Sequence, residues 1–310
     1  EPVSLDQQRA ATAVTACNAV GAAMLSTLLR RAGSSNALSC PVGITFILAL
    51  LYAGAESVGE GVNAALGVDA AAEAQTRDSV WSAVRQTLQR FDVADTQQLQ
   101  DFNPEAIPDT PLLHIANNIL AIGDKTVINQ EYLDSAKRWY ASDLGRVPVD
   151  DAKAALDAWA NLHTGGLIKE SAINVTPLTR LVVQNALLFA ARWADPFEAG
   201  DTVEGAPFTR ADRSTSRADL MSRVGPFALA TGPGWRALRL PCNDGRATGA
   251  PTLAMDIILP NRVISPADLP ASTWGEATRL LTAAQAEGHA TRVRLRLPRL
   301  DLSSQPTDLI

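Results

Sequence analysis

Residues 182–197 read VVQNALLFAARWADPF, a long apolar run with an asparagine inside it that ends on Arg-Trp before Pro-Phe. At a period of two, Leu181, Val183, Leu187 and Phe189 share a face with Asn185, while Val182, Ala186 and Leu188 share the other with Gln184. Both faces are mostly apolar, which predicts a strand over 181–190 covered on both sides. Asn185 is then expected as a buried amide. Leaving such a group unpaired costs roughly 1–3 kcal/mol, so its partners must come from elsewhere in the chain. Taken alone, the pattern is that of a core asparagine satisfying a backbone group.

Working outward, the segments before this strand are mostly helical. Residues 5–32 carry Ala10, Val14, Cys17, Leu25 and Leu28 near one stripe, and Pro41 opens an all-round apolar helix over 41–53, the pattern of a core helix. Further helices are expected at 57–66, 76–91, 129–142 and 152–164, the last stopped by Gly165-Gly166. LLHIANNILAIG (112–123) reads as a strand. After the opening run, FALA, WRALRLP and TLAMDIILP are short strands between 203 and 260, a helix returns at 273–287, and 291–302 alternates basic and apolar as a strand. Helices, then strands, then a mixture is not a βαβα alternation. The class is α+β, and one large domain over 1–310 fits best.

The 310 residues are 46% hydrophobic and 19% charged, ordinary for a globular chain with material for a large core. A net charge of −6 and a pI near 5.2 argue against a general nucleic-acid or membrane-surface binder. The longest uninterrupted apolar run, ITFILALLYAGA (44–55), is too short to span a bilayer. EPVSLDQQ at the start is not a signal peptide, which leaves the compartment open. Lysine is confined to Lys125, Lys137, Lys153 and Lys169 among 27 basic residues; with abundant alanine, this suggests a GC-rich, bacterial coding genome. Cys17, Cys40 and Cys242 are odd in number and far apart, so neither a disulfide framework nor a zinc spacing is read from them.

Familiar catalytic patterns do not form. GEGVNA (59–64) fits the loose G-x-G-x-x-A fingerprint but follows a segment of helix length, where that fingerprint needs a strand. No G-x-S-x-G elbow occurs. The histidines fall one mid-strand (His114), one at a helix end (His163) and one in a turn (His289), and are read as isolated, against both a triad and a metal site. Asp150-Asp151 reads as a solvated pair, and Arg292, Arg294 and Arg296 as a wet strand face. No catalytic residue, cofactor or metal is expected.

Four segments in one order resemble the serpin family of protease inhibitors: NALSCPVGITFILALLYAGA (36–55); ALDAWANLHTGGLIKE (155–170), with Thr164, Gly166 and Ile168; TRLVVQNALLFAARWADPF (179–197), with Asn185, Phe189, Trp193, Pro196 and Phe197; and DIILP (256–260) with LPRLDLSSQPTDL (297–309). The resemblance implies a serpin fold, three β-sheets surrounded by eight or nine helices. It also implies a shutter that controls strand separation beneath the central sheet, formed here by Cys40, Pro41, Gly43 and Asn185. A breach at Trp193 and Phe197 is implied where the reactive loop enters. The resemblance implies that 129–142 is the helix lying across the sheet face. Cys40 and Gly43 stand where the family usually has serines, so the hydrogen-bond set around Asn185 must differ. The family's histidine partner for that asparagine is not in this chain.

The implied function is inhibition of a serine protease by suicide-substrate trapping, the cut loop inserting into the central sheet. The alternative is a non-inhibitory serpin acting as a binding, carrier or chaperone module. The hinge, reactive loop and final strands of the family are expected beyond Ile310, so the residue that decides protease choice lies outside this chain. A monomer is expected, with a second chain as one way to supply the C-terminal segment. Nucleic acid and membrane are not expected partners, and the activity favours an extracellular setting.

Overall fold

A computed structural model describes residues 7–33, 36–55, 60–68, 74–93, 95–210, 212–243 and 253–302. Among these, eight α-helices and nine strands in three three-stranded sheets form an α+β fold, as expected. The elements are α1 (Gln7–Ala32), α2 (Pro41–Ala53), α3 (Glu60–Leu66), α4 (Ala74–Gln89), α5 (Gln97–Gln100), β1 (Leu112–Ile122), α6 (Gln130–Tyr140), β2 (Asp143–Val147), α7 (Ala152–His163), β3 (Leu181–Ala190), β4 (Thr202–Thr209), β5 (Thr215–Phe227), β6 (Leu229–Gly232), β7 (Trp235–Pro241), β8 (Ala254–Pro260), α8 (Ser272–Ala286) and β9 (Thr291–Pro298). The periodic segments agree with these within a few residues. β2 was not expected from the sequence, and FALA is divided at Ala228 between β5 and β6. The start of the expected first helix, before Gln7, and residues 303–310 lie outside the described residues.

The chain falls into two units, Glu1–Cys17 with Cys40–Pro108 and Leu112–Ala190, and Asn18–Ser39 with Asp109–Pro111 and Ala191–Ile310. In the first unit the sheet order is β2-β1-β3, with β2 parallel and β3 antiparallel to β1. The β1–β3 register sets Leu112 opposite Ala190 and runs unbroken to Ala121 opposite Leu181. One face carries Ile115, Asn117 and Ile119 of β1 with Val183 and Asn185 of β3, and it packs on α2, α4 and α6 around Phe46, Leu50, Trp81 and Tyr140. The other face presents Leu120, Ile122 and Val182 to Ala152 and Leu156 of α7. Two apolar layers on one sheet explain why β3 is apolar on both faces.

The expected cover on both faces of β3 is found, but it does not extend to the strand's side or its ends. Among the described residues β3 has one hydrogen-bonded neighbour, β1, and stands at the edge of its sheet. Leu181 and Phe189, at its two ends, are exposed at 38% and 49%. Asn185 is half-buried rather than buried. Period-two apolarity reports what lies above and below a strand and is silent about what lies beside it.

In the second unit, β4-β5-β9 and β6-β7-β8 are each antiparallel. Phe227, Leu238, Leu240 and Leu297 form a core shared by the two sheets. Ala277 and Leu281 of α8 close the other side of β6-β7-β8 on Ala230, Trp235 and Ala237. A 23-residue stretch of α1, Ala10–Ala32, is long and apolar enough to cross a membrane, with a mean hydropathy of 1.5. Its apolarity is spread among alanines with polar residues between them, so it contains no long unbroken apolar run. Ala13 and Cys17 within it are core residues of the first unit.

Candidate functional site

The expected shutter residues come together on the α2 face of the β2-β1-β3 sheet. Pro41 occupies the first turn of α2, where its missing N–H and fixed φ suit a helix start, and Cys40 precedes it at the N-cap. The Thr45 hydroxyl donates back to Pro41 O and Val42 O, both at 3.0 Å, tightening this first turn. Gly43 then faces Asn185 at close range. A Cβ built on Gly43 would lie 2.6 Å from Asn185 Oδ1 and 3.4 Å from Cys40 Sγ. The expectation that glycine merely withholds a hydrogen-bonding side chain is therefore incomplete: its bare Cα makes the room that Asn185 occupies.

Asn185 finds its partners across the strand pair. Its Nδ2 donates to Ala116 O and to Asn117 Oδ1, both at 3.0 Å. Asn117 sits directly opposite Asn185 in the register, is fully buried, and donates its own Nδ2 to Tyr140 O at 3.0 Å. The amide pair thus stitches β3 to β1 and β1 to the end of α6. Sequence reading missed Asn117. The visible signal was the polar pair Asn117-Asn118 inside an otherwise apolar strand.

The helix lying across the other face is α7, not α6 as expected for 129–142. Both are amphipathic, but they bury different partners. The apolar stripe of α6 (Ala136, Trp139, Tyr140) enters the α2–α4 cluster. The stripe of α7 (Ala152, Leu156) lies on β1 and β3, and Gln184 Nε2 donates to Leu156 O at 3.4 Å. The Thr164-x-Gly166-x-Ile168 pattern ends this helix. Thr164 Oγ1 donates to Ala160 O at 2.7 Å and accepts from Ile168 N at 2.9 Å. Gly165 and Gly166 take left-handed φ values of 58° and 81°, and Gly166 N returns to Asn161 O at 2.8 Å.

The histidines read as isolated are not so. His114 of β1 and His163 at the end of α7 place Nε2 and Nδ1 2.9 Å apart, both buried. His114 Nδ1 lies 2.6 Å from Asp92 Oδ1, and His163 Nε2 lies 3.4 Å from Asp143 Oδ2. Trp159 lies tilted against His163, ring centroids 4.4 Å apart, and donates Nε1–H to the same Asp143 oxygen at 2.8 Å. His163 beside Asp143 holds that carboxyl below its ordinary range, helped by Trp159 and opposed by burial. The two histidines are 49 positions apart in sequence, and no spacing rule links them.

The expected breach residues lie in the second unit. Trp193 and Phe197 are both half-buried against the Phe227–Leu238–Leu240–Leu297 core. Trp193 forms a β-bridge with Cys242, and Ala194 N–H donates to Pro241 O at 2.9 Å, which extends the β7 edge. Among the described residues no group of three or more His, Cys, Asp or Glu side chains forms a metal cluster. Asp150 and Asp151 are exposed in the turn before α7, and Arg292, Arg294 and Arg296 are exposed on β9.

The sequence pattern of the family described as Serpin (serine protease inhibitor) matches residues 15–309. An uncharacterised serpin-like protein of Thermococcus kodakarensis is 28% identical over 232 residues, 73% of this chain and 48% of that protein. Leukocyte elastase inhibitor A of Mus musculus is 31% identical over 162 residues, 49% of this chain and 40% of that protein. These matches therefore span less than half the length of each relative. Among solved structures, reactive-loop-cleaved human thyroxine-binding globulin superposes with a TM-score of 0.71 at 16% identity, covering 93% of this chain and 79% of that one. The likeness is one of fold.

Proposed function

Because the chain belongs to the serpin family, we propose that the protein it represents, a single domain across 1–310, is an inhibitor of a serine protease rather than an enzyme. The family includes inhibitors such as leukocyte elastase inhibitor. The observation that carries this reading is the form of β3. It is a ten-residue strand with apolar layers on both faces, held to β1 by an unbroken ladder and by a pair of amides within it. A sheet takes up a further strand when an extended segment pairs its backbone along one of the strands already there. Serpin reactive-loop insertion is itself a standard case of such strand addition.

In this reading the protease serine attacks a loop carbonyl, the peptide bond breaks, and the acyl-enzyme forms. The cut loop then enters the sheet. Each new ladder bond contributes about 0.5–1.5 kcal/mol, so a dozen residues together contribute on the order of 10 kcal/mol. Asn185, Gly43, Pro41 and Cys40 regulate strand separation as the shutter, with Asn117 added to the set. Trp193 and Phe197 serve as the breach. No catalytic side chain or cofactor is called for; the working partner is the protease, with nucleic acid and membrane playing no part.

The test is to mix the full-length protein with trypsin-, chymotrypsin- and elastase-like enzymes. A complex that survives hot detergent is expected with at least one of them. Plain cleavage of the protein with every enzyme left active would reject inhibition and favour a binding, carrier or chaperone module.

A further inference from the structure

The relay Asp92–His114–His163–Asp143, with its two histidines buried, contains three hydrogen-bonding or ion-pairing gaps: Asp92 to His114, His114 to His163, and His163 to Asp143. Each gap is satisfied by one ring proton. Two neutral imidazoles carry two protons between them, one too few. One imidazolium and one neutral imidazole carry three: His114 donates to Asp92 and to His163 Nδ1, and His163 donates from Nε2 toward Asp143. Two imidazolium rings carry four, and two N–H groups then face each other across 2.9 Å. The ring planes lie within 10° of parallel, so the opposed N–H bonds point at each other and the contact must open. Arg85, buried on α4 and interacting electrostatically with Asp92, is a further charged group at this end of the relay among the described residues.

The relay joins different elements. Asp92 follows α4, His114 belongs to β1, Asp143 opens β2, and His163 is the last residue of α7. The His114–His163 bond ties the C-terminal end of α7 to the sheet it crosses. On the outer side of that end, an open cleft of about 470 Å³ between α5 and α7, bordered by Leu99, Asn161, Leu162 and Gly165, leaves space for movement.

We propose that the His114–His163 contact is a proton-operated latch: closed while the pair shares a single positive charge, and opened by the second proton, which frees the end of α7 from β1. This builds on the proposed function: α7 packs on β1 and β3, so loosening its end loosens the cover of the sheet that the cut loop is to enter. It makes strand uptake easier in mildly acidic surroundings.

Backbone hydrogen exchange of the 160–166 segment, corrected for the intrinsic pH dependence and followed without any protease, tests the latch. Between about pH 8 and pH 5, protection there should fall about tenfold more than in α2. Parallel curves for the two regions would overturn the proposal. His163→Gln should abolish the extra fall; a variant that keeps it refutes the latch. Should that variant not fold, ring-nitrogen NMR of the wild-type protein decides. One charged and one neutral ring at neutral pH is the expected result, and two neutral rings would be contrary to it. Since no protease is present, failure to trap an enzyme and failure of the latch are separate results.

Discussion

The two faces of the β2-β1-β3 sheet are sealed by different chemistry. On the α2 face the strands are joined by uncharged amides, Asn117 and Asn185, whose bonds do not depend on pH. On the α7 face the cover is held by a titratable pair and by one bond from Gln184, whose Oε1 is buried with no partner among the described residues. An unmet buried acceptor costs about 1–3 kcal/mol, which weakens the polar part of the α7 seat. A sheet that must keep its strands together yet let a helix lift from one side benefits from this asymmetry: a fixed stitch beneath and a conditional one above.

The comparison is broken most severely by Asn117→Ala. It removes a fully buried side chain, strands Tyr140 O, and leaves Asn185 with one partner fewer. A loss of about 3 kcal/mol is expected in chemical denaturation at any pH near neutral. Gly43→Ala should cost about 2 kcal/mol, because the new methyl group would stand inside contact distance of Asn185 Oδ1. Asn185→Ala should cost about 1.5 kcal/mol and ease strand separation, giving polymers or a latent form on native gels after mild heating. An unchanged monomer band would count against the shutter role. Combined with Asn117→Ala it should be non-additive by about 1 kcal/mol, as two halves of one contact are.

On the α7 face, Asp143→Asn is expected to be milder and pH-dependent. The folded-state carboxyl is depressed below its ordinary value of 3.8, chiefly by His163. Its contribution is therefore present above that value and lost as pH falls through the folded one. The gap between wild type and variant, about 0.5 kcal/mol after solvent screening of this exposed carboxylate, should be seen at pH 6 and close in acid below 3.8. Arg294→Ala, on the exposed face of β9, should shift stability by less than about 0.5 kcal/mol and leaves both seals intact.

Much of this was legible in the sequence for a local reason. Asn185 stood out because an amide inside an aliphatic strand is costly, and Pro41 and Gly165-Gly166 fix a helix start and a helix stop by backbone chemistry alone. What escaped depends on long-range pairing. The α7 assignment turned on which sheet residues meet two similar amphipathic stripes. Gly43 became intelligible only when Asn185 was found against it, 142 positions away. β2 carries too little apolar periodicity to announce itself, with Asp143, Gly145 and Arg146 in a five-residue strand paired on one side. The histidine relay is assembled from segments that share no pattern at all.

The position of the amide pair within the β1–β3 ladder has a mechanical consequence. Counted from Ala190, five rungs precede Asn185; counted from Leu181, four do. A tear begun at either end runs freely for about half the strand and is then arrested by a rivet that draws on side chains as well as backbone. Partial fraying is thereby tolerated, while complete parting of the two strands becomes a single gated event.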